Sequence, residues 1–505
     1  MGPVGKRLFL LLACLAAWMP FVGRPLFIDD HAHFREAVLR GLDPARPYDE
    51  RGLGWRPGEP PGEANPPIYF YLVGGITRVL GPHPGRIHLA LISLHLLGML
   101  AFFSLARRYT RHPLWASLLW LTTPHYWLTA NSLLLDSLLA PFFLIGLWGW
   151  ISGWENRSSV HLAVGALFLG LTPLVKYTGY LAWAVVGLWA VLNGHRRDRR
   201  WLWSLIPLAL SAAWLTWSGR VYGGSHLAAT ASASVVPFDF SRLRDLLVFF
   251  LVSTPVALIG LISGSAALGA ASPANGLAAV RPGRAWDRTD ALLFAWVAAG
   301  LAGLLFARGW VCARYFVVVG PAAILLSVRL SENARWAESR AFRSAALGVL
   351  AASGAVLAAA DYFQARVDRN AARDLEAARE RLSTDVHGCY PAALLSGLSA
   401  YLPPDRWRPL EPGEKPSRGE AAAIPLRQLP RAFWPDVGDM RPAALFSYRS
   451  PLPVRLQDGP TGAGWYGSVW GHHPLSLTTA PLETYLFLVP SPATGDSAPR
   501  DPTKK

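Results

Sequence analysis

The chain has 505 residues, of which 52% are hydrophobic, and it carries 22 tryptophans and a formal net charge of +15. Apolar runs of roughly 20 residues, the length that crosses a bilayer core, recur as far as Ala360, and a soluble domain does not contain them repeatedly. The basic residues lie mostly in short loops between these runs, and no soluble basic patch with interleaved aromatics is present, which argues against a nucleic-acid partner. The sequence therefore predicts an all-α polytopic membrane protein.

The apolar runs predict about 11 transmembrane helices in residues 1–360. The first follows Lys6-Arg7 and lacks the small-residue cleavage site of a signal peptide, so we expect it to remain in the protein. In chain order the predicted spans are Leu8–Val22, His88–Ala106, Leu114–Ala130, Leu133–Ile151, Val160–Leu174, Tyr180–Leu192, Trp201–Trp217, Leu246–Leu268, Ala291–Ala307, Tyr315–Val328 and Ser344–Ala360.

The distribution of lysine and arginine predicts the orientation. Loops such as those with Arg107-Arg108 and Arg196–Arg200 are richer in these residues than the loops of the other side, which places the N-terminus inside. An outer loop then covers residues 24–87. Within it Pro44–Pro61 reads as irregular, and the aromatic segment after Pro66-Pro67 reads as an interfacial helix. An odd number of spans puts the C-terminus outside as well.

The composition changes after Ala360. Asp361–Val386 is charged and helix-prone, and short apolar segments such as Ala443–Tyr448 and Thr484–Val489 are typical of strands. We predict a small α+β extracytoplasmic domain at residues 361–490 and a disordered tail at residues 491–505. No internal repeat is visible, which weakens transporter architectures built from duplicated halves.

Three acidic residues near the outer face are candidates for chemistry. Asp29 and Asp30 follow the first span, where carboxylates are costly in lipid and are expected to face an aqueous cavity; the alternative is a solvated pair that caps the next helix. Asp136 lies near the outer end of the fourth span, where an ionisable residue marks a site or a buried pair; the alternative is a snorkelling side chain.

Two cations complete the predicted outer site. Lys176, between the fifth and sixth spans, and Arg314, at the start of the tenth, can each bind a phosphate, or each can be an interfacial anchor. His31 and His33 beside the acidic pair would suit a divalent metal, although adjacent positions seldom converge on one ion. The three cysteines have no metal-ligand spacing, and Cys312 and Cys389 would either pair or remain free thiols.

Taken together, these elements resemble the GT-C glycosyltransferases, in particular the branch of protein O-mannosyltransferases, aminoarabinose transferases and RgtA-type lipopolysaccharide transferases. The resemblance covers residues 1–360; it departs at His31 and His33, where Tyr or Ala is common, and at Asn65, where His or Lys is common. The matching elements are Asp29-Asp30 after the first helix, Pro66-Pro67-Ile68-Tyr69 outside the membrane, Asp136 in the fourth span, Lys176-Tyr177-Thr178-Gly179, and Arg314-Tyr315.

The resemblance implies a transferase that moves a sugar from a polyprenyl-phosphate-linked donor to lipid A or lipopolysaccharide, another glycan or a protein. It would work at the outer face of a bacterial cytoplasmic (inner) membrane, as a multi-pass protein. Asp29 would be the general base of an inverting reaction, and Asp136 would orient the acceptor or hold a cationic phosphate binder. Lys176 or Arg314 would stabilise the leaving phosphate, and Asn65 and Tyr69 would belong to an acceptor loop.

No Gly-rich loop for a sugar nucleotide precedes a helix, so we expect no cofactor, with a divalent metal as the less favoured option. The alternative function is a transporter or flippase for a lipid-linked or anionic solute, which would use the same charges as a pathway. The absence of repeats and the large outer loop favour the transferase.

Overall fold

The computed structural model describes residues 1–40, 45, 47–48, 65–195, 198–234, 236–258, 286–306, 310–332, 339–383, 385–392, 397–427 and 434–491. Most of the predicted irregular loop Pro44–Pro61, the end of the predicted span Leu246–Leu268, the loop residues Arg196 and Arg197, and the predicted tail after Ser491 lie outside the described residues. The chain forms two compact units, one of Met1–Tyr362 with Val454–Thr478 and one of Phe363–Pro453 with Thr479–Lys505.

The first unit is predominantly helical in its described part, and its helices follow the predicted apolar runs. One long helix, α15, begins in this unit and ends in the second. In chain order the α-helices are α1 Pro3–Trp18, α2 Asp29–Arg40, α3 Ile68–Leu80, α4 Pro84–Tyr109, α5 Pro113–Thr122, α6 Pro124–Ala130, α7 Asp136–Glu155, α8 Ser159–Val175, α9 Leu181–Leu192, α10 Leu205–Tyr222, α11 His226–Ser234, α12 Phe240–Ser253, α13 Arg288–Phe306, α14 Gly320–Ser331 and α15 Arg340–Leu382.

Among the residues that the structure describes, five helical segments are long and apolar enough to cross a membrane, and there are several shorter apolar helices. The chain is therefore a helical membrane protein. Helix α3 has 13 residues, which corresponds to about 20 Å and is shorter than a bilayer core of about 30 Å. The five long segments are Pro3–Phe21, Pro84–Tyr109, Asp136–Glu155, Arg288–Phe306 and Arg340–Leu382.

Several predicted spans differ in detail from the structure, and two of them bear on the site. The single span Leu114–Ala130 is wrong, because the chain breaks at Thr123 between α5 and α6. Thr123 is extended, with φ −65° and ψ 130°, since the residue before a proline is disfavoured in the α region. The predicted span Leu133–Ile151 begins three residues too early, so Asp136 is the first residue of α7 and not one turn inside it.

Small residues allow close helix packing in the first unit. A Cβ atom on Gly165 of α8 would lie 2.2 Å from the backbone nitrogen of Trp150 in α7. A Cβ on Gly98 of α4 would lie 2.8 Å from the Cα of Pro141 in α7. Membrane helices associate through such small-residue contacts, because lipid supplies no hydrophobic drive between them. These contacts bring α7, whose first residue is Asp136, close against both neighbours.

The second unit contains the five-stranded sheet, which confirms the predicted small α+β fold. Its order is β2-β1-β3-β9-β4; β1 pairs in parallel with β2 and β3, and the other two pairings are antiparallel. Leu375 of α15, Trp407 and Phe487 are buried in its core. The five strands are β1 Gly388–Pro391, β2 Trp407–Leu410, β3 Ala421–Pro425, β4 Met440–Tyr448 and β9 Glu483–Pro490.

The segment Val454–Thr478 belongs to the first unit, although the sheet strands flank it on both sides in sequence. Its short strands are β5 Val454–Arg455, β6 Gln457–Asp458, β7 Ala463–Gly464 and β8 Ser476–Leu477. All three cysteines, Cys14, Cys312 and Cys389, are buried free thiols, so the disulfide that the sequence allowed between Cys312 and Cys389 is not formed.

Candidate active site

Four charged side chains predicted from separate segments meet in the first unit. The guanidinium Nη2 of Arg314 lies 2.7 Å from Asp29 Oδ2, and its Nε lies 3.5 Å from Asp136 Oδ2. The Lys176 ammonium donates to both carboxylate oxygens of Asp136, at 2.8 and 3.0 Å. The result is a row of alternating charge, Asp29, Arg314, Asp136 and Lys176, which we call the four-charge cluster.

Exposure differs sharply along the four-charge cluster. The side chain of Asp136 is 3% exposed, and those of Lys176 and Arg314 are 9% and 10% exposed. The side chain of Asp29 is 41% exposed. Buried charges need partners of opposite sign, and Asp136 supplies one to both cations. Asp29 is therefore the acid of the cluster that an incoming molecule can reach, and Asp136 is placed to hold the cations.

The Arg314 guanidinium has a hydrogen-bond donor that is available for a ligand. Its Nη1 is buried and has no hydrogen-bond partner among the residues that the structure describes. Beside it, the Lys176 ammonium lies 4.3 Å from the centroid of the Tyr315 ring, which is a cation–π contact. A planar guanidinium with an unused N–H next to an ammonium suits a phosphate group. The cluster therefore contains a place for an anion beside the open acid.

The backbone before Asp29 is strained. Ile28 has a φ of +51°, a region that β-branched residues rarely adopt. Such a conformation costs on the order of 1–3 kcal/mol and persists only where the surroundings over-determine it. Here they do, because Phe27 N–H donates to Asp30 Oδ2 at 3.2 Å and Asp30 N–H donates to the Phe27 carbonyl at 3.0 Å. The strained turn directs Asp29 and Asp30, the first residues of α2, into different surroundings.

Asp30 is completely buried, and both oxygens of its carboxylate have polar partners. It forms an ion pair with Arg24, and its Oδ1 accepts a hydrogen bond of 2.9 Å from the Leu133 backbone N–H. The Tyr69 hydroxyl donates to the carbonyl of the same residue, Leu133. The side chains of Asp30 and Tyr69 thus bind the backbone N–H and the carbonyl of Leu133, in the turn that precedes Asp136. Asp30 and Tyr69 position this turn, and the exposed acid of the pair is Asp29.

Asn65 and Tyr69, predicted to belong to an acceptor loop, are both buried. The Asn65 carbonyl accepts a hydrogen bond of 2.8 Å from the Tyr48 hydroxyl. Tyr69 makes T-shaped contacts with His33, at 6.0 Å between ring centroids, and with Phe70. The structure brings Tyr69 to the turn before Asp136, whereas it places Asn65 against Tyr48. A role of either residue in binding an acceptor stays a prediction.

Three further residues of the site were missed by sequence reasoning. Arg24 bonds to Asp361 as well as to Asp30, and the Tyr466 hydroxyl donates to Asp361. Arg24 and Asp361 are buried, and they directly follow the first and the last predicted span. Opposite charges at two span ends on one membrane side were the available signal. Nothing in the sequence pointed to Tyr466, which lies more than a hundred positions after Asp361.

The segment that carries Tyr466 also contacts the chain just before Arg314. Ala313 N–H donates to the Trp465 carbonyl at 3.0 Å, and Ser468 N–H donates to the Val311 carbonyl at 2.8 Å. Val311 N–H returns a bond of 2.9 Å to the Ser468 hydroxyl. These contacts fix the backbone from which Arg314 reaches into the four-charge cluster.

Electrostatics favour the ionised form of Asp29. Burial alone would raise its pKa, but the charges of Arg314 and His33 outweigh burial and hold the pKa of Asp29 below its ordinary value of 3.8.

The predicted metal option at Asp29, His31 and His33 has no geometric support, because the described part of the chain contains no group of three or more potential metal ligands.

Comparisons with known proteins identify a family model and solved structures to which the chain is similar. The family model described as dolichyl-phosphate-mannose-protein mannosyltransferase matches residues 64–217. The fold is similar to the crystal structure of ArnT from Cupriavidus metallidurans in the apo state, with a TM-score of 0.55 and 15% identity over 84% of this chain and 93% of that chain. The structure of the same protein bound to undecaprenyl phosphate gives a TM-score of 0.56 and 14% identity over 84% and 94%. No curated protein sequence matches the chain. The predicted resemblance to GT-C glycosyltransferases is confirmed, and the chain has the ArnT fold.

Proposed function

We propose that this chain is a membrane glycosyltransferase that moves a sugar from a polyprenyl-phosphate-linked donor to a hydroxyl acceptor. The observation that carries the proposal is the four-charge cluster, in which the reachable carboxylate of Asp29 lies beside the buried cation Arg314, whose Nη1 has no hydrogen-bond partner among the described residues. The family match and the ArnT-like fold support the same reaction class. Lipid A or lipopolysaccharide, another glycan or a protein would be the acceptor, at the outer face of a bacterial inner membrane.

The proposed reaction is an inverting displacement. The acceptor oxygen attacks the anomeric carbon, the bond from that carbon to the phosphate oxygen breaks, and the acceptor proton passes to Asp29. Oδ2 of Asp29 is held by Arg314, which leaves Oδ1 for the acceptor hydroxyl. Because a fixed carboxylate needs little reorganisation, the geometry can be set before the reaction begins.

The departing polyprenyl phosphate gains negative charge as the bond breaks. Arg314, through its unused Nη1, and Lys176 are placed to stabilise that charge, and burial of both side chains strengthens the interaction. Asp136 touches both cations and so is a positioning residue that keeps them charged and oriented. No step of this proposal passes through a cofactor or a metal.

Transfer of radiolabelled sugar from a polyprenyl-phosphate donor in reconstituted membranes tests the proposal. Asp29→Asn should lower the transfer rate by roughly 100- to 10,000-fold, the usual loss for a general base, while donor binding remains. Asp405→Asn, at an acid whose side chain is 75% exposed in the second unit, is the matched surface control and should keep the wild-type rate.

Two results would contradict the proposal. A fully active Asp29→Asn protein would remove the assigned base. A wild-type protein that binds the donor and moves it across the bilayer without transferring its sugar would be the transporter or flippase alternative. Mass spectrometry of envelope glycans and glycoproteins with and without the chain identifies the acceptor.

A further inference from the structure

A basic pocket lies at the ends of α4 and α7 that are far from the four-charge cluster. Helix α7 has 20 residues, from Asp136 to Glu155, which corresponds to about 30 Å, the thickness of a bilayer core. Arg107 and Arg108 lie in the last turn of α4. The pocket has a volume of about 380 Å³ and is lined by Arg7, Ser104, Arg107, Arg108, Trp148, Ser152, Asn156 and His161.

An apolar groove continues from this basic pocket. It has a volume of about 260 Å³ and shares Arg7, Ser104 and Trp148 with the pocket. Its open side faces away from the helix bundle, since the side chain of Leu97 is 53% exposed. A polar pocket that continues into an apolar groove along a membrane helix has the shape of a lipid headgroup and its chain. The remaining residues of the groove are Leu97, Leu100, Ala101 and Ile145.

The basic pocket has an excess of positive charge. Arg108 is compensated by Glu155, with Nε 2.5 Å from Oε2, and it also donates to the Ser152 hydroxyl at 2.8 Å. Arg7 and Arg107 have no hydrogen bond or ion pair with any residue that the structure describes. Two uncompensated guanidinium groups therefore line the pocket, and that of Arg7 also lines the apolar groove. Guanidinium groups bind phosphate through paired donors.

We propose that this pocket and groove bind an anionic glycerophospholipid of the leaflet that lies opposite the four-charge cluster. The phosphodiester lies between Arg7 and Arg107, and an acyl chain follows the groove along Leu97 and Ala101. Trp148, whose ring makes a T-shaped contact with His161 at 5.4 Å, lies at the headgroup level, as interfacial tryptophans do. The exposed amide of Asn156 is placed to bind headgroup hydroxyls, which a glycerol headgroup has and a polyprenyl phosphate lacks.

Lipid titration of the purified full chain in neutral detergent tests this site independently of transferase activity. Thermal unfolding is followed with phosphatidylglycerol, phosphatidylcholine, polyprenyl phosphate and inorganic phosphate. A ligand that binds the folded state raises the unfolding temperature, and the rise grows with the logarithm of the ligand concentration divided by its Kd. We expect stabilisation by phosphatidylglycerol and none by phosphatidylcholine or inorganic phosphate.

The variants identify the site. Arg7→Gln with Arg107→Gln should weaken phosphatidylglycerol binding about 30-fold, which is about 2 kcal/mol at about 1 kcal/mol per basic residue and 1.4 kcal/mol per factor of ten. Arg111→Gln, an exposed arginine that does not line the pocket, is the matched control and should bind like wild type.

Three outcomes would overturn the proposal. Equal loss in the double variant and in Arg111→Gln would mean unspecific attraction of acidic lipid. Stabilisation by polyprenyl phosphate that is lost in the double variant, without stabilisation by phosphatidylglycerol, would make this a second site for the carrier lipid. Stabilisation by inorganic phosphate alone would mean that the groove binds no chain. Each result is read from binding, so it holds whether or not the proposed sugar transfer is correct.

Discussion

Neutralising the buried pair of Asp136 and Lys176 separates a structural role from a role in binding the donor. Both side chains are at least nine-tenths buried, and the lysine donates to both oxygens of the aspartate. Asp136→Asn keeps the shape of the side chain but leaves Lys176 and Arg314 with only the partly exposed Asp29 as an acidic partner in the cluster. Breaking a buried ion pair by removing one partner costs about 3–5 kcal/mol, because the remaining charge is uncompensated.

The double variant Asp136→Asn with Lys176→Met should recover most of that loss. Replacing both members of a buried pair with neutral groups of similar volume is often neutral for stability. We therefore expect thermal unfolding of Asp136→Asn in detergent to be clearly shifted to lower temperature, and that of the double variant to return close to wild type. Lys176→Met alone should be intermediate, because Arg314 still lies 3.5 Å from Asp136.

Sugar transfer gives the second measurement. If Lys176 binds the donor phosphate, the double variant regains stability but not activity, and Lys176→Met chiefly raises the KM for the donor. Recovery of both stability and turnover in the double variant would refute the reasoning, since the lysine would then be only a partner for Asp136. An Asp136→Asn protein with full turnover and unchanged stability would also refute it, since the buried pair would then contribute to neither stability nor activity.

The remaining predictions concern pH, a positioning residue and orientation. Arg314 holds the pKa of Asp29 below its ordinary value, so the stabilising ion pair is complete above that value and is lost as pH falls through the lowered pKa. Titration of Asp29 should therefore leave kcat/KM unchanged from about pH 5 to 7. Arg314→Gln should shift the decline of kcat/KM at acidic pH to a higher pH. Tyr466→Phe removes a buried hydrogen-bond donor to the Asp361 carboxylate and should lower the free energy of unfolding by about 1–3 kcal/mol, measured by thermal unfolding. In the sugar-transfer assay this variant should lose less of the wild-type rate than Asp29→Asn loses. A reporter fused at Arg199 should be active in the cytoplasm and one fused after Arg366 outside; reversed signals would contradict the predicted orientation.

The sequence could predict which residues gather at the site but not how they pair. Placing Asp29, Asp136, Lys176 and Arg314 on one membrane side required only the apolar runs and the loop charges. Which cation pairs with which acid depends on side-chain geometry after packing. The spacing of the residues in the sequence does not indicate that Lys176 and Arg314 both pair with Asp136. The break at Thr123 was readable from the following proline, because a proline disfavours the α conformation of the residue before it.

The return of the segment Val454–Thr478 to the first unit was not predictable in the same way. Its short strands and turns have no apolar periodicity that distinguishes them from the sheet segments on either side. The contact of Tyr466 with Asp361 and Arg24 joins residues separated by more than a hundred positions. Pairings at such separations are fixed by the whole fold, whereas helix periodicity and capping are fixed locally.

Two adjacent aspartates at the mouth of the first span perform different tasks because the backbone divides them. The positive φ of Ile28 turns the chain so that Asp30 is buried against Arg24 and the Leu133 N–H, while Asp29 remains 41% exposed beside Arg314. The energy of that strained residue is offset by the bonds of Asp30, so the buried acid holds the turn from which the open acid projects. Asp30 also holds the turn before Asp136, through Leu133. One buried carboxylate therefore positions both acids of the four-charge cluster, which explains why an acidic pair and not a single aspartate stands at this point of the chain.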